Sequence, residues 1–326
     1  MTILTYNHVA FLAECLESVV QQQMPFAFEI LVGDDASTDG TTTIVKDYAA
    51  RHPGLIRPIV HPVNVGGGRN WQSVLDAARG EYLAYLDGDD LMYPGKLARQ
   101  VAFLDENPGV AMCFHNLDVF EWPSGEMLGR FTRPDSPPVR HLDDLVRHGT
   151  VYGHSSKMYR SSSLPREGVD LAQSRCGDWL AHIQHSTKGE VAYIDEVLGA
   201  YRRHAGGMSS RRRVVDLDAA LHDLLYTIEQ AKKLGASSDA IADGTGRVLF
   251  EMALRYLAAG DVERFRDAVV RSRVAARLGP AQGAAFALRE TPRLVAGLAA
   301  SVRAWRRINR AAKASSGKDR GKNSIP

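Results

Sequence analysis

Between Asp87 and Asp90 the chain reads DGDD, three carboxylates within four residues, directly behind the apolar run YLAYL. Carboxylates this close repel, and each makes its neighbours harder to ionise. The pattern therefore needs a cation or a set of hydrogen-bond donors. Hard divalent ions such as Mg2+ and Mn2+ take carboxylate oxygens and keep positions for phosphate. A metal that grips a phosphorylated ligand is thus one chemistry these residues can do; a solvated acidic turn is the alternative for the tetrapeptide alone. A second acidic pair, Asp34 and Asp35, ends the stretch FEILVG. The segment NVGGGRN, residues 64–70, reads either as a flexible loop or as a turn whose backbone approaches a ligand, with Arg69 near its phosphates. It has neither the GK[ST] of a Walker motif nor the GxGxxG of a dinucleotide site.

These groups act together only if the fold carries them to one place. Apolar runs at 2–6, 28–33, 55–61, 82–86 and 110–114 read as strands. Helical stripes at 9–23, 40–52, 69–79 and 94–106 alternate with them. Strands alternating with helices imply a parallel sheet covered on both faces, and such sheets bind ligands at the carboxyl ends of their strands. Asp87 and Asp89 would then share a rim with Thr5, Tyr6 and Asn7, with Asp34 and Asp35, and with the glycine-rich turn. From 118 to 176 the pattern weakens into loops and short elements, and His115, His141, His148 and His154 there read as ordinary polar residues. A helix is expected over 178–188 and a strand over 191–194. Beyond 211 helical segments are expected near 214–234, 239–259, 262–278 and 281–310, and a polar, disordered tail follows.

The bulk numbers fit this layout. The chain has 326 residues, 44% hydrophobic and 24% charged, as expected of a soluble globular protein. A formal charge of +2 names no partner, and sparse aromatic interleaving gives no support for nucleic-acid binding. Cys15, Cys113 and Cys176 are odd in number and scattered, which argues against a disulfide framework or zinc site and for a reducing compartment. There is no run long enough to cross a bilayer and no signal-peptide pattern, so a cytoplasmic location is expected.

Taken in order, ILTYNHVAFLAECLESVVQQ, EILVGDDASTDGT, NVGGGRN, ARGEYLAYLDGDDLMYPGKLARQVAFL, CGDWL and VLGAYRRHAGGMS resemble the inverting family 2 glycosyltransferases, over about residues 2–210. Within that family the likeness is to bacterial members that build cell-surface polysaccharide. The resemblance implies an α/β GT-A fold: a mixed, Rossmann-like nucleotide-binding sheet flanked by helices. It implies a catalytic domain at 1–210; the helical periodicity beyond it marks a helical C-terminal region at 211–312, and the polar composition a disordered tail at 313–326. It also implies transfer of a sugar from a UDP- or dTDP-sugar to a glycan or lipid-linked acceptor, with Mn2+ or Mg2+. Thr5 and Tyr6 would hold the base, Asp35 would accept from its imide, and Asp87 would bind the ribose. Asp89 would coordinate the ion, His204 would stand near it and the diphosphate, and Arg202 or Arg203 would add charge. Asp178 would be the catalytic base; its simpler role is a helix N-cap. Two departures stand out. Gly177 replaces the glutamate that usually precedes the base. The first strand is short beside the family's, so that either the start lies upstream of Met1 or the sheet edge is trimmed.

The segment 281–310 mixes Leu294, Val295, Leu298, Val302, Trp305 and Ile308 with six arginines. It reads as a helix packed on the catalytic domain or a partner subunit, or as a basic surface resting on anionic lipid at the inner face of the membrane, interrupted at Pro292. An oligomer is compatible with either. Two rival enzyme classes are weaker. A haloacid-dehalogenase-type phosphatase, with Asp87 as nucleophile, normally carries its DxD on the first strand, and a sugar-nucleotide pyrophosphorylase would need an N-terminal glycine-rich signature that is absent. A non-catalytic nucleotide-sugar binding protein is the remaining alternative.

Overall fold

The computed structural model describes residues 1–132, 136–149, 152–164, 177–207 and 216–291, with Leu294 and Gly297. The chain divides into two compact units: Met1–Val215 with Tyr226–Ser237, and Asp216–Leu225 with Ser238–Pro326.

The first unit is built on strands β1 (Thr2–Thr5), β2 (Ile30–Asp34), β3 (Ile56–Val60) and β4 (Tyr82–Asp87). All pair in parallel, in the order β3-β2-β1-β4. Helices α1 (Leu12–Val20), α2 (Thr41–Arg51) and α3 (Gly67–Ala77) make the crossovers. Each forms where an apolar stripe has something to cover: Leu12, Cys15, Leu16 and Val19 of α1 are all buried, as are Trp71 and Val74 of α3. The strands meet these stripes with Ile3, Ile30, Val32, Ala84 and Leu86. Gly33 lets α3 come close, since a Cβ there would lie 2.6 Å from Val74 Cγ2. In register, Thr5 faces Asp34 and Leu4 faces Asp87. The carboxyl ends of β1, β2 and β4 therefore finish level, and the loops after them share one edge.

Beyond β4 the sheet is mixed, not parallel throughout. The elements are β5 (Leu91–Met92), α4 (Lys96–Glu106), β6 (Val110–Glu121), β7 (Met127–Arg130), β8 (Val139–Arg140), α5 (Leu142–His148), β9 (Met158–Arg160), α6 (Gly177–Ser186) and β10 (Glu190–Arg203). The described residues give a ten-stranded sheet continuing β4-β9-β6-β10-β5. β9 enters antiparallel between β4 and β6, while β6 and β10 run parallel. β6 and β10 are far longer than the apolar cores at 110–114 and 191–194 that announce them, because their outer halves pair with each other through register shifts while only partly buried.

The second unit is helical: the first part of α7 (Leu217–Lys233), α8 (Ser238–Ala259), α9 (Val262–Ala275) and α10 (Pro280–Leu288). Its core is Met252, Ala253, Tyr256, Phe265, Ala268 and Val269. Asp261 caps α9 by accepting the Arg264 N–H, and Tyr256 donates to Asp218 at 2.6 Å. The basic segment beyond Thr291 and the tail at 313–326 lie outside the described residues, apart from Leu294 and Gly297. Among the described residues no helix is long and apolar enough to cross a membrane.

Candidate active site

The three aspartates of the loop after β4 point in three directions. The turn is tight because Gly88 donates its N–H to Leu4 O at 2.8 Å, where a Cβ would press on Thr5. Asp90 turns inward and is fully buried. It accepts from Ser155 Oγ at 2.5 Å and from the Arg202 N–H at 2.9 Å. Burial, then the charges of Asp89 and Asp87, push its carboxyl well above the usual range. Asp87 accepts from the Tyr85 hydroxyl at 2.7 Å and from Ser155 Oγ at 3.3 Å. Burial and the neighbouring Asp89 raise it to about 7. Asp89 faces the other way. Its Oδ2 lies 2.9 Å from His204 Nε2 and 3.8 Å from His8 Nε2. Burial opposes its ionisation, but the His204 hydrogen bond and the two imidazoles outweigh that and hold it below the usual value. One of the three carboxylates is thus kept charged and presented, and another is occupied in holding the loop.

Arg202 belongs to the scaffold. It is buried between Phe11 and Phe120, donates Nε–H to Asp89 O at 2.8 Å and pairs with Glu14 at 2.7 Å. Arg203 reaches Glu121 at 3.8 Å.

The loops after β1 and β2 lock onto each other. Asn7 N–H donates to Ser37 Oγ and Thr38 N–H to Asn7 Oδ1. Asn7 and Ala36 take positive φ of 55° and 59°, a conformation that non-glycine residues adopt mainly where function or tight packing demands it. Tyr6 is 41% exposed, whereas Thr5 is buried with a hydroxyl that has no partner among the described residues. Asp34 is engaged by Ser37 and Thr42. Asp35 accepts the N–H groups of Val65 and Gly66 at 2.7 and 3.0 Å. The glycine-rich turn therefore commits two of its amides to Asp35, leaving each carboxylate oxygen one further lone pair. Arg69 stands exposed in the first turn of α3.

Asp178 occupies the first turn of α6 with its side chain 44% exposed, and Oδ1 lies 3.3 Å from His154 Nε2. Its charge acts on both Tyr85 and Asp87, so it faces the end of β4. His154 lies against this end of the sheet: it touches Tyr85 at 4.1 Å between ring centroids and packs with the ammonium of Lys157. Ser155, His154 and Lys157 are the residues sequence reasoning misses. The one signal for them is a histidine and a lysine directly before a short strand in HSSKMYR.

The sequence model of the family described as Glycosyl transferase family 2 matches residues 2–166. The chain is 36% identical over 214 residues to Rv1520 of Mycobacterium tuberculosis, covering 63% of this chain but only 58% of that protein. It is 30% identical over 239 residues to EpsE of Bacillus subtilis, covering 71% of this chain and 82% of the other. Among solved structures, S. aureus TarS 1-349, in complex with UDP-GlcNAc, matches with a TM-score of 0.64 at 18% identity, over 94% of this chain and 91% of that one. That likeness concerns the mixed sheet and its flanking helices, and the family match falls on the segments that carry Thr5, Asp35 and the DGDD loop. The chain belongs to glycosyl transferase family 2.

Proposed function

We propose that the chain transfers a glycosyl group from a nucleoside diphosphate sugar to a hydroxyl acceptor, with inversion at the anomeric carbon. The observation that carries this reading is the pairing, at one sheet edge, of Asp89, held 2.9 Å from His204, with a half-exposed Asp178 on a separate element. Asp178 takes the proton of the acceptor hydroxyl. The freed oxygen forms the new bond to the anomeric carbon, and the bond to the diphosphate breaks on the opposite face with its electrons leaving on the diphosphate. Thr5, whose hydroxyl has no partner among the described residues, and the exposed Tyr6 ring fit a base-binding role. Asp35 has lone pairs for an imide, and Asp87 fits a ribose.

A divalent ion fits the donors present. Asp89 Oδ2 and His204 Nε2 stand 2.9 Å apart, close to the ~3 Å edge between neighbouring ligands of an octahedral Mg2+ or Mn2+. No group of three His, Cys, Asp or Glu side chains among the described residues can hold an ion unaided. Asp89 and His204 would therefore hold it together with diphosphate oxygens. When bound, such an ion stabilises the negative charge of the departing diphosphate. The resemblance to polysaccharide-building members supports a UDP- or dTDP-sugar and a glycan or lipid-linked acceptor for cell-surface polysaccharide, and TarS was solved with a UDP-sugar.

Calorimetry with UDP and dTDP, with and without Mn2+, tests the donor side. Nucleotide should bind only with the ion present, and Asp89→Ala should abolish this metal-supported binding without unfolding the protein. Asp178→Asn should keep nucleotide binding and lose about 100- to 10,000-fold in transfer. Metal-independent binding, or transfer at the parental rate by Asp178→Asn, would refute the site as drawn.

A further inference from the structure

Beneath Asp178 lies a cation that the reaction above does not use. Lys157 is fully buried. Its ammonium sits 4.4 Å from the ring centroids of both Trp71 and Tyr85. It is also 3.0 and 3.1 Å from Nδ1 and Nε2 of His154. Near-equal distances to the two ring nitrogens put Nζ against the face of the imidazole, since a hydrogen bond in the ring plane would favour one nitrogen. Lys157 thus occupies a cage of three rings, a setting that favours a cation. At its edge, His154 Nε2 approaches Asp178 Oδ1 at 3.3 Å. From dry interior to exposed surface the order is Lys157, His154, Asp178.

We propose that Lys157 and His154 are positioning residues for Asp178: the ammonium keeps the imidazole neutral, and the neutral ring donates Nε2–H to Asp178, so that the carboxylate is fixed in direction. The proposal rests on the reading of Asp178 as the base. A like charge in contact disfavours a second cation, so His154 acts as a hydrogen-bond donor and not as an imidazolium. The pair also answers what a base needs before reaction, a lone pair held toward its substrate. Several elements bring groups to the ring. Asp178 and His182 approach from α6, with His182 6.3 Å away between centroids. Tyr85 approaches from β4, Trp71 from α3, and Lys157 from the segment before β9. Burial pushes Lys157 down to about 8 against the pull of Asp178 and Asp87, which leaves it charged at neutral pH. His182 is buried and held well below the usual histidine range, so it adds no charge.

Histidine-labelled full-length protein, with His154 assigned through His154→Gln, tests the pair by NMR. The parent ring should stay neutral in the Nε2–H tautomer from about pH 8 to about pH 6, and Lys157→Met should raise its titration by at least about one pH unit. A parent ring already protonated at pH ~7, or the same titration in both proteins, would overturn the proposal. The parent titration stands alone if Lys157→Met does not fold. In kinetics, the acid limb of kcat/KM should move up by about one pH unit in Lys157→Met. His154→Gln, which keeps an N–H donor, should restore most of the activity that His154→Leu loses; equal loss in both would refute the donor role. The NMR arm does not depend on catalysis. Parental transfer by Asp178→Asn would sink the base reading alone, while unchanged titration with an unmoved acid limb would sink the pair alone.

Discussion

Replacing Lys157 by methionine removes a charge and keeps most of the side chain's volume, so it isolates what burying the ammonium costs. Burial moves Lys157 from 10.5 to about 8. Between those two values the unfolded chain binds more protons than the folded one, so the lysine's contribution to stability rises with pH across that window. At pH ~7 the folded protein carries the charge at a cost of about 3 kcal/mol relative to the unfolded chain, and this cost is gone above pH ~10.5. The methionine variant has no such dependence. Its stability minus the parent's should therefore be most positive below pH ~8 and should fall by about 3 kcal/mol by pH ~10.5. The attraction between the ammonium and the aromatic faces, about 1–2 kcal/mol, disappears with the charge and offsets part of the gain at neutral pH. Urea denaturation of both proteins at several pH values between about 8 and 10, above the titration of His154, measures the difference, and the groups remote from Lys157 cancel in it. Denaturation curves that stay parallel across the range would refute a dry Lys157, and with it the cage as the resting place of the charge.

Asp90→Ala strips the acceptor from the buried Arg202 N–H and from Ser155 Oγ; it should cost about 2–4 kcal/mol in denaturant unfolding, whereas a change within ~0.5 kcal/mol would show that the loop does not depend on that carboxyl. Gly33→Ala drives a methyl to 2.6 Å from Val74 Cγ2 and onto Asn70. It should lower stability by about 1–3 kcal/mol by displacing α3, and an unchanged Tm would refute the close approach of β2 and α3.

The parallel half of the sheet is legible because its strands are apolar runs, three of them ended by a carboxylate or a glycine-rich turn, and each helix shows a stripe of several turns. The other half is not. β9 has three residues and β5 two, less than any period can reveal, and their antiparallel pairing depends on loops that carry no repeat. The acidic loop is equally half-legible. Three aspartates in one tetrapeptide announce a site, but nothing in the letters separates Asp89, presented, from Asp90, buried. That choice is made by the close passage of Gly88 over Thr5 and by the donors waiting on either side.

Those donors come from the part of the chain that has no motif. β9 pairs Tyr82 with Arg160 and Ala84 with Met158, and just before it Tyr85 N–H donates to Lys157 O at 3.1 Å. This register lays Ser155 and Lys157 alongside the end of β4. Ser155 then bonds Asp90 and Asp87, while Lys157 fills the cage behind His154 and Asp178. A second buried lysine, Lys96, ties the same strands by donating to Ser155 O at 3.0 Å and Tyr85 O at 3.4 Å. A three-residue strand with no sequence signal therefore supports both ends of the proposed chemistry, the DGDD loop and Asp178. Substitutions that shift β9 by one residue should displace both the DGDD loop and Asp178, although none of its residues belongs to either.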